Sequence, residues 1–288
     1  MKKKIIIIVF LIIFVLMLIE LYIDANWIQT TSFEVFSKKI PSSFDGYKIL
    51  QLSDLHSKEF GNDNKNLLKE INDANPDIIV LTGDFVTANE TDFTVFFELV
   101  DKISPKYEVY YITGNHEQAL SGSSRKEIFG YLKEKGVRFL SNESVSIQKD
   151  DETIDLYGLC YESAYYSERR GNIYTKEMMN KSLGEANLTK FNVLLTHSPT
   201  NFEVYKSWGA DLTLSGHVHG GMIRVPFIGA IFSPDEGLMP KYSAGRYQLE
   251  DSVLVVSRGL GRGSRGFRLF NRPNLVEITL KSTKKGVD

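Results

Sequence analysis

Apolar residues fall along this chain in short runs of two kinds that take turns. "YKILQLSD", "DIIVLTGD" and "YEVYYITGNHE" are apolar stretches that end in polar residues, the pattern of buried strands. Between and after them, "NKNLLKEINDA" over 64–74, "TDFTVFFELVDKI" and "SSRKEIFGYLKEKG" place apolar residues at helical spacing, with Asn75-Pro76 and Gly136 as stops. Two β-like runs with no helix between them, "VRFLSNESVSI" and "IDLYGLCYE", predict the start of a second sheet. Alternation resumes with "TKEMMNKSL", "FNVLLTHSP", "NFEVYKSW" and "DLTLSGHVHGG", and "SVLVVSRGLG" and "NLVEITL" supply late strands. Strands and helices in turn predict an α/β fold.

The first residues follow a different rule. Ile5 to Ile23 carries one charge, Glu20, and as a helix would span roughly 28 Å, close to a bilayer core. Lys2, Lys3 and Lys4 ahead of it are expected to stay in the cytoplasm, which puts the rest of a single-pass cell-membrane protein on the extracytoplasmic side. A cleaved signal peptide is the competing reading. Its cleavage pattern is poor, because Ala25 is preceded two positions earlier by Ile23. The expected organisation is a membrane anchor over 1–24, a connector with an edge strand in "SFEVFSKKI" over 25–46, and one main domain over 47–288.

Composition changes this picture little. A content of 42% hydrophobic and 24% charged residues is that of a folded protein, and a net charge of −2 argues against a nucleic-acid partner. The single cysteine, Cys160, lies in an alternating apolar stretch and reads as a small core residue.

Candidate chemistry changes it a great deal. All five histidines follow β-like runs: His56 in "SDLH", His116 in "GNHE", His197 in "LLTHSP", and His217 and His219 in "GHVH". Asp54, Asp84 and Asn115 sit in the same clusters. In open α/β sheets the loops beyond the carboxyl ends of strands form the active-site crevice, so these segments are expected to converge. In extended backbone, residues two apart project to one side, so "D-x-H" and "H-x-H" could each offer two ligands to one cluster. Carboxylate, amide oxygen and imidazole, without thiolate, suit Mn²⁺, Fe or Zn²⁺, and eight candidate groups suggest two metal ions.

The ordered pattern "DLH … GD … GNHE … H … GHVH" resembles the calcineurin-like metallophosphoesterase superfamily from residue 47 to the C-terminus. The anchor, "GHVHGGMIRVPFIGAIFSP" and "SRGLGRGSRGFRLFNRPNLVEITL" look like its membrane-associated bacterial branch, of the YaeI and YkuE type. The resemblance implies a layered sandwich of two central mixed β-sheets flanked by helices, with residues 47–288 as the catalytic domain. It also implies one divalent ion on Asp54, His56, Asp84 and His219 and a second on Asp84, Asn115, His197 and His217, bridged by Asp84. A bridging hydroxide would then attack phosphorus, with His116 stabilising the transferring group or protonating the leaving oxygen. Many members of the family carry an aspartate three positions after the bridging one; here that position is Thr87. Glu117 stands where aspartate is frequent and reads as an outer support of the site.

Substrate signals are weaker. Arg258, Arg262 and Arg265 lie in a glycine-rich run that could clamp a phosphate or pyrophosphate, or could be a solvated basic loop. "MIRVPFIGAIFSP" reads as a strand edge in contact with the core, with a bilayer-facing loop as the alternative, and "YESAYYSERRGNIY" as aromatic packing or a cleft wall. Together these features point to a membrane-anchored, metal-dependent phosphohydrolase or phosphodiesterase acting on a phospholipid or lipid-linked phosphate. The alternatives are a nucleotide or cyclic-nucleotide phosphodiesterase and a metal-stabilised scaffold without activity.

Overall fold

Alternation along the central strands divides their side chains between two hydrophobic layers. In β2 (Lys48–Leu52), Ile49 joins one layer while Leu50 and Leu52 join another; in β3 (Ile78–Thr82), Ile78 and Val80 oppose Ile79 and Leu81 in the same way. Such strands are covered on both faces, which is why they read as continuous apolar runs. The computed structural model describes residues 2–160, 162, 165, 174–221, 223–225, 227–233, 236–262 and 268–283.

Two six-stranded mixed sheets result. The first has the order β1 (Gln29–Ser37), β15 (Asn274–Ser282), β2, β3, β4 (Glu108–Ile112) and β5 (Arg138–Phe139), with β15 antiparallel to β2 and the other neighbours parallel. The second runs β13 (Gly245–Leu249), β14 (Ser252–Val256), β9 (Leu212–Ser215), β8 (Asn192–Thr196), β7 (Glu152–Leu159) and β6 (Glu143–Lys149). Its outer pairs are antiparallel and β14, β9, β8 and β7 are parallel. The predicted second sheet does begin in "VRFLSNESVSI", but the run is split: Arg138–Phe139 closes the first sheet and Glu143 opens the second.

The sheets face each other through Ile49, Val80, Ile112, Val193, Leu214 and Ile278, among others. Helices cover the outer faces. On the first sheet lie α2 (Lys65–Ala74), α3 (Thr94–Ile103) and α5 (Gly122–Glu134); α3 turns Phe96, Leu99, Val100 and Ile103 inward at i, i+3, i+4 and i+7. On the second, α6 (Lys176–Leu183) and α7 (Phe202–Trp208) supply Met179, Tyr205 and Trp208. Asn75 and Gly136 leave their helices in left-handed conformation, as the stop signals predict. Two further α-helices are α1 (Lys2–Asn26), whose side chains from Ile5 to Ile19 are all exposed, and the short α4 (Asn115–Ala119).

The segment 25–46 is tied into this architecture. β1 pairs with β15 along its whole length, and Val35, Ile40 and Phe44 are buried in the layer between the sheets. A small third sheet, β10 (Ile223–Val225), β11 (Gly229–Ser233) and β12 (Gly237–Leu238), follows the last histidines. Its buried Ala230 and Ser233 make the core contact read into "MIRVPFIGAIFSP". The strands are there, but the hairpin tip projects, with Phe227 fully exposed and Ile228 63% exposed.

Candidate metal centre

Five parallel strands deliver the candidate groups. Asp54 and His56 follow β2, Asp84 follows β3, and Asn115, His116 and Glu117 open α4 after β4; His197 follows β8, and His217 and His219 follow β9. Their carboxyl ends meet because the two sheets are clamped beneath them. Buried Gln51 on β2 donates Nε2–H to Thr82 Oγ1 at 2.9 Å and to the Ser215 carbonyl of the opposite sheet at 2.8 Å.

The side chains form overlapping groups: Asp54, His56 and His219; His56, Asp84 and His116; Asp84, His197 and His217, with the donor atoms of each group within 4.8 Å of one another. Asp84 belongs to two of them. Its Oδ2 lies 3.1 Å from His197 Nε2 and 3.9 Å from His56 Nε2, while Asp54 Oδ1 lies 3.5 Å from His219 Nε2. "GHVH" is therefore divided, with His217 on one side of Asp84 and His219 on the other.

These groups fit divalent cations on their own chemistry. His56 Nε2 and His219 Nε2 approach to 3.2 Å. Burial pushes the His56 imidazole down to about 3 and holds His219 well below its ordinary value, so both rings are neutral, the form in which an imidazole nitrogen can offer its lone pair to a cation. Asn115 Oδ1 is buried without a hydrogen-bond partner among the described residues, an oxygen available to a metal. His197 Nδ1 donates to the Thr82 carbonyl at 2.7 Å, which aims Nε2 at Asp84. Burial lowers His197, but Asp84 and Asp54 overcome it and raise the ring to about 10; burial, helped by the charge of Asp84, raises Asp54 to about 6. Burial also opposes the charge of Asp84, yet His197, His56 and His116 hold that carboxylate well below its usual range.

The backbone differs from the expectation of extended "D-x-H" and "H-x-H" pairs. Asp54, His56, Asp84, His217 and His219 have φ of 53°, 48°, 56°, 72° and 53°, all left-handed. Each such non-glycine residue costs on the order of 1–3 kcal/mol, and the loops offset this by bonding to one another. Asp54 N–H donates to the Gly83 carbonyl at 2.9 Å, His56 N–H to the Asp84 carbonyl at 3.0 Å, and His217 N–H to Asp54 Oδ1 at 3.1 Å. Gly114 and Gly216 allow the close approach: a Cβ on either would stand 2.2 Å from an oxygen of Asp84 or Asp54.

His116 stands at the mouth of the cleft. Its Nδ1 accepts the Ala88 N–H at 2.9 Å, and its Nε2 lies 3.9 Å from Asp84 Oδ2. A backbone amide thus orients the ring of His116 in a chain that has Thr87 in place of an aspartate.

Buried side chains brace the ligand loops from outside, Glu117 in the supporting place read for it. Glu117, fully buried, accepts N–H groups from Asp84 at 2.9 Å, Phe85 at 2.6 Å and Gly114 at 2.8 Å, stapling the β3 and β4 loops together. Burial, then the charge of Asp84, raises its carboxyl to about 7. Glu117 stands three residues after Gly114 and accepts its N–H, the carboxylate half of a capping box, and this spacing was the available signal. Arg268 is buried and donates to the carbonyls of Arg258, Gly259, Gly261 and Asn271, tying these residues together. Of the arginines predicted to bind substrate, Arg258 donates to Gln29 Oε1 at 2.8 Å, Arg262 is exposed, and Arg265 lies outside the described residues. Most of "YESAYYSERRGNIY" also lies outside them.

Comparison with known proteins agrees with this geometry. Residues 47–221 match the calcineurin-like phosphoesterase family. The chain is 30% identical to the uncharacterized metallophosphoesterase YkuE of Bacillus subtilis over 91% of its own length and 88% of that protein's. It is 29% identical to the phosphodiesterase YaeI of Escherichia coli, over 81% of this chain and 82% of the relative, and 29% identical to the metallophosphoesterase YkoQ of Bacillus subtilis, over 79% and 81%.

Proposed function

The chain belongs to the calcineurin-like phosphoesterase family and is a metal-dependent phosphoesterase; from that premise we propose that it is anchored in a membrane and cleaves a phosphoester or pyrophosphate bond of a lipid or lipid-linked substrate. The observation that carries the chemistry is the sharing of Asp84 between a His56 side and a His197 side, which supports two ions in one cleft. On this reading Asp54, His56, Asp84 and His219 hold one ion and Asp84, Asn115, His197 and His217 the other.

Bound there, two divalent ions would supply Lewis acidity at the phosphoryl oxygens and a water acidified toward neutral pKa. The protein's own contribution is placement and proton supply. His116, with Nδ1 engaged by Ala88, presents Nε2–H toward the cleft as a hydrogen-bond donor to the transferring group or a proton source for the leaving oxygen. Glu117 and the bonds between loops hold the ligands in position before substrate arrives, so little reorganisation is left for the reaction.

Membrane placement is supported by α1, a 25-residue helix long and apolar enough to cross a bilayer, which opens with three lysines. The exposed tip Phe227–Ile228, with Leu238 and Met239, supports a cleft mouth at the lipid surface, since β10 begins four residues after His219. Arg262, exposed beside the cleft loops, remains a candidate contact for an anionic headgroup. The likeness to YaeI, a phosphodiesterase, favours a diester among the possible bonds.

The test is hydrolysis by the full chain in detergent, stripped with chelator and reloaded with Mn²⁺, of a chromogenic diester, the matching monoester, and a phospholipid in mixed micelles. Metal-dependent turnover with preference for the lipid is expected. Faster cleavage of soluble nucleotide diesters would overturn the lipid assignment, and two bound ions without any turnover would favour a scaffold.

A further inference from the structure

The far end of α1 carries one feature that a tether does not need. Asp24 is fully buried, although the helix before it is exposed and apolar. Its Oδ1 accepts the backbone N–H of Asn271 at 2.9 Å, across 247 positions of sequence. The carboxamide of Asn271 in turn donates Nδ2–H to the His219 carbonyl at 2.8 Å and to the Gly221 carbonyl at 2.6 Å. Both carbonyls belong to the turn that gives His219 its left-handed backbone and sets its Nε2 against His56.

The junction is held at further points. Lys58 Nζ donates to the Ala25 carbonyl, closing the end of the helix, and Arg272 lies 5.8 Å over the Trp27 ring. Gln29 N–H donates to the Pro273 carbonyl at 2.8 Å. On the other side of the same segment, Gly261 N–H donates to the Asp54 carbonyl at 2.6 Å and Leu260 N–H to that of Ser53 at 3.0 Å. Residues 258–261 and 271–273 thus stand between the metal loops on one side and the last turn of α1 on the other.

We infer that the last turn of the membrane helix is part of the metal centre, with Asp24 as a positioning residue that acts on His219 through Asn271. The inference rests on the reading of His219 as a ligand. Removing the carboxylate frees the Asn271 backbone, releases the two carbonyls its side chain holds, and lets the strained His219 turn relax. Only the ion on the Asp54, His56 and His219 side should feel this, because His197 and His217 are held by bonds to Thr82 and Asp54 that Asn271 does not touch. A cut after Ala25 would have the same effect, so the working protein keeps its N-terminal helix.

The experiment is Mn²⁺ titration of the metal-stripped full chain in detergent, with free ion read by electron paramagnetic resonance. Wild type should take up two ions. Asp24→Ala should keep one at wild-type affinity and bind the other about 10–100-fold more weakly, the usual cost of losing a group that orients a ligand. Asp24→Asn, which keeps an oxygen for Asn271 N–H, should restore most of that loss. Asn271→Ala should reproduce the defect, without addition in the double variant. Two wild-type sites in Asp24→Ala, or equal weakening of both with a lowered Tm, would overturn the inference. Fewer than two ions in the wild type would instead overturn the two-metal reading on which it rests.

Discussion

Ala88 donates its backbone N–H to Nδ1 of His116 at 2.9 Å, so the neutral ring carries its proton on Nε2, the nitrogen that faces Asp84. A carboxylate partner at Nδ1 would do the opposite, accepting a hydrogen bond from Nδ1–H, keeping the proton there and leaving Nε2 as the basic nitrogen. In this chain His116 is therefore built to donate. His116→Ala should retain both metals by elemental analysis and lose about 10²–10⁴-fold in kcat. Loss of an ion from that variant would make His116 a ligand instead.

Asp84 is the point on which both halves of the centre depend. Asp84→Ala should release both ions, because on the two-ion reading both sites lose the carboxylate they share and His197 loses the acceptor 3.1 Å from its Nε2. Dialysis followed by metal analysis checks this, and full occupancy would contradict the bridging role.

Glu117 should show its importance in stability before activity. Glu117→Ala strands the buried N–H groups of Asp84, Phe85 and Gly114, each worth about 1–3 kcal/mol when left unmade. The expected result is a large fall in Tm for the metal-free protein, with Glu117→Gln milder because it keeps an oxygen acceptor. Equal Tm values for wild type and Glu117→Ala would remove the carboxylate from its stapling role.

Chelation should destabilise the wild type. Asp54 and Asp84 are both buried in one cleft, and ions that bind only the folded chain add stability of about 2.7 kcal/mol when present at a hundred times Kd. Thermal melts with and without chelator test this, and Asp84→Ala should show no difference between the two.

The hairpin tip separates lipid from soluble substrates. Phe227→Ser combined with Ile228→Ser changes two exposed side chains, so stability and turnover of a soluble diester should stay as in wild type. Turnover of a phospholipid in vesicles should fall if the tip seats the cleft on the bilayer. Equal loss on both substrates would place the tip in the catalytic fold rather than at the membrane.

The sequence by itself determined the strands, the helices between them, and the gathering of every histidine at a strand end, because apolar periodicity and turn residues are local properties that need no partner. It also marked Asp54, His56, Asp84, Asn115, His197, His217 and His219 as one set, through their order in the chain. What only the tertiary structure decided is how these groups face one another. The division of "GHVH" across Asp84, the left-handed turns at five of the seven residues, the tautomer of His116 and the stapling by Glu117 all depend on loops remote in the chain coming together. The contact of Asp24 with Asn271 is the extreme case. A lone carboxylate at the end of an apolar helix has no local signature, and its role exists only because β1 and β15 pair side by side and bring the two ends of the chain together.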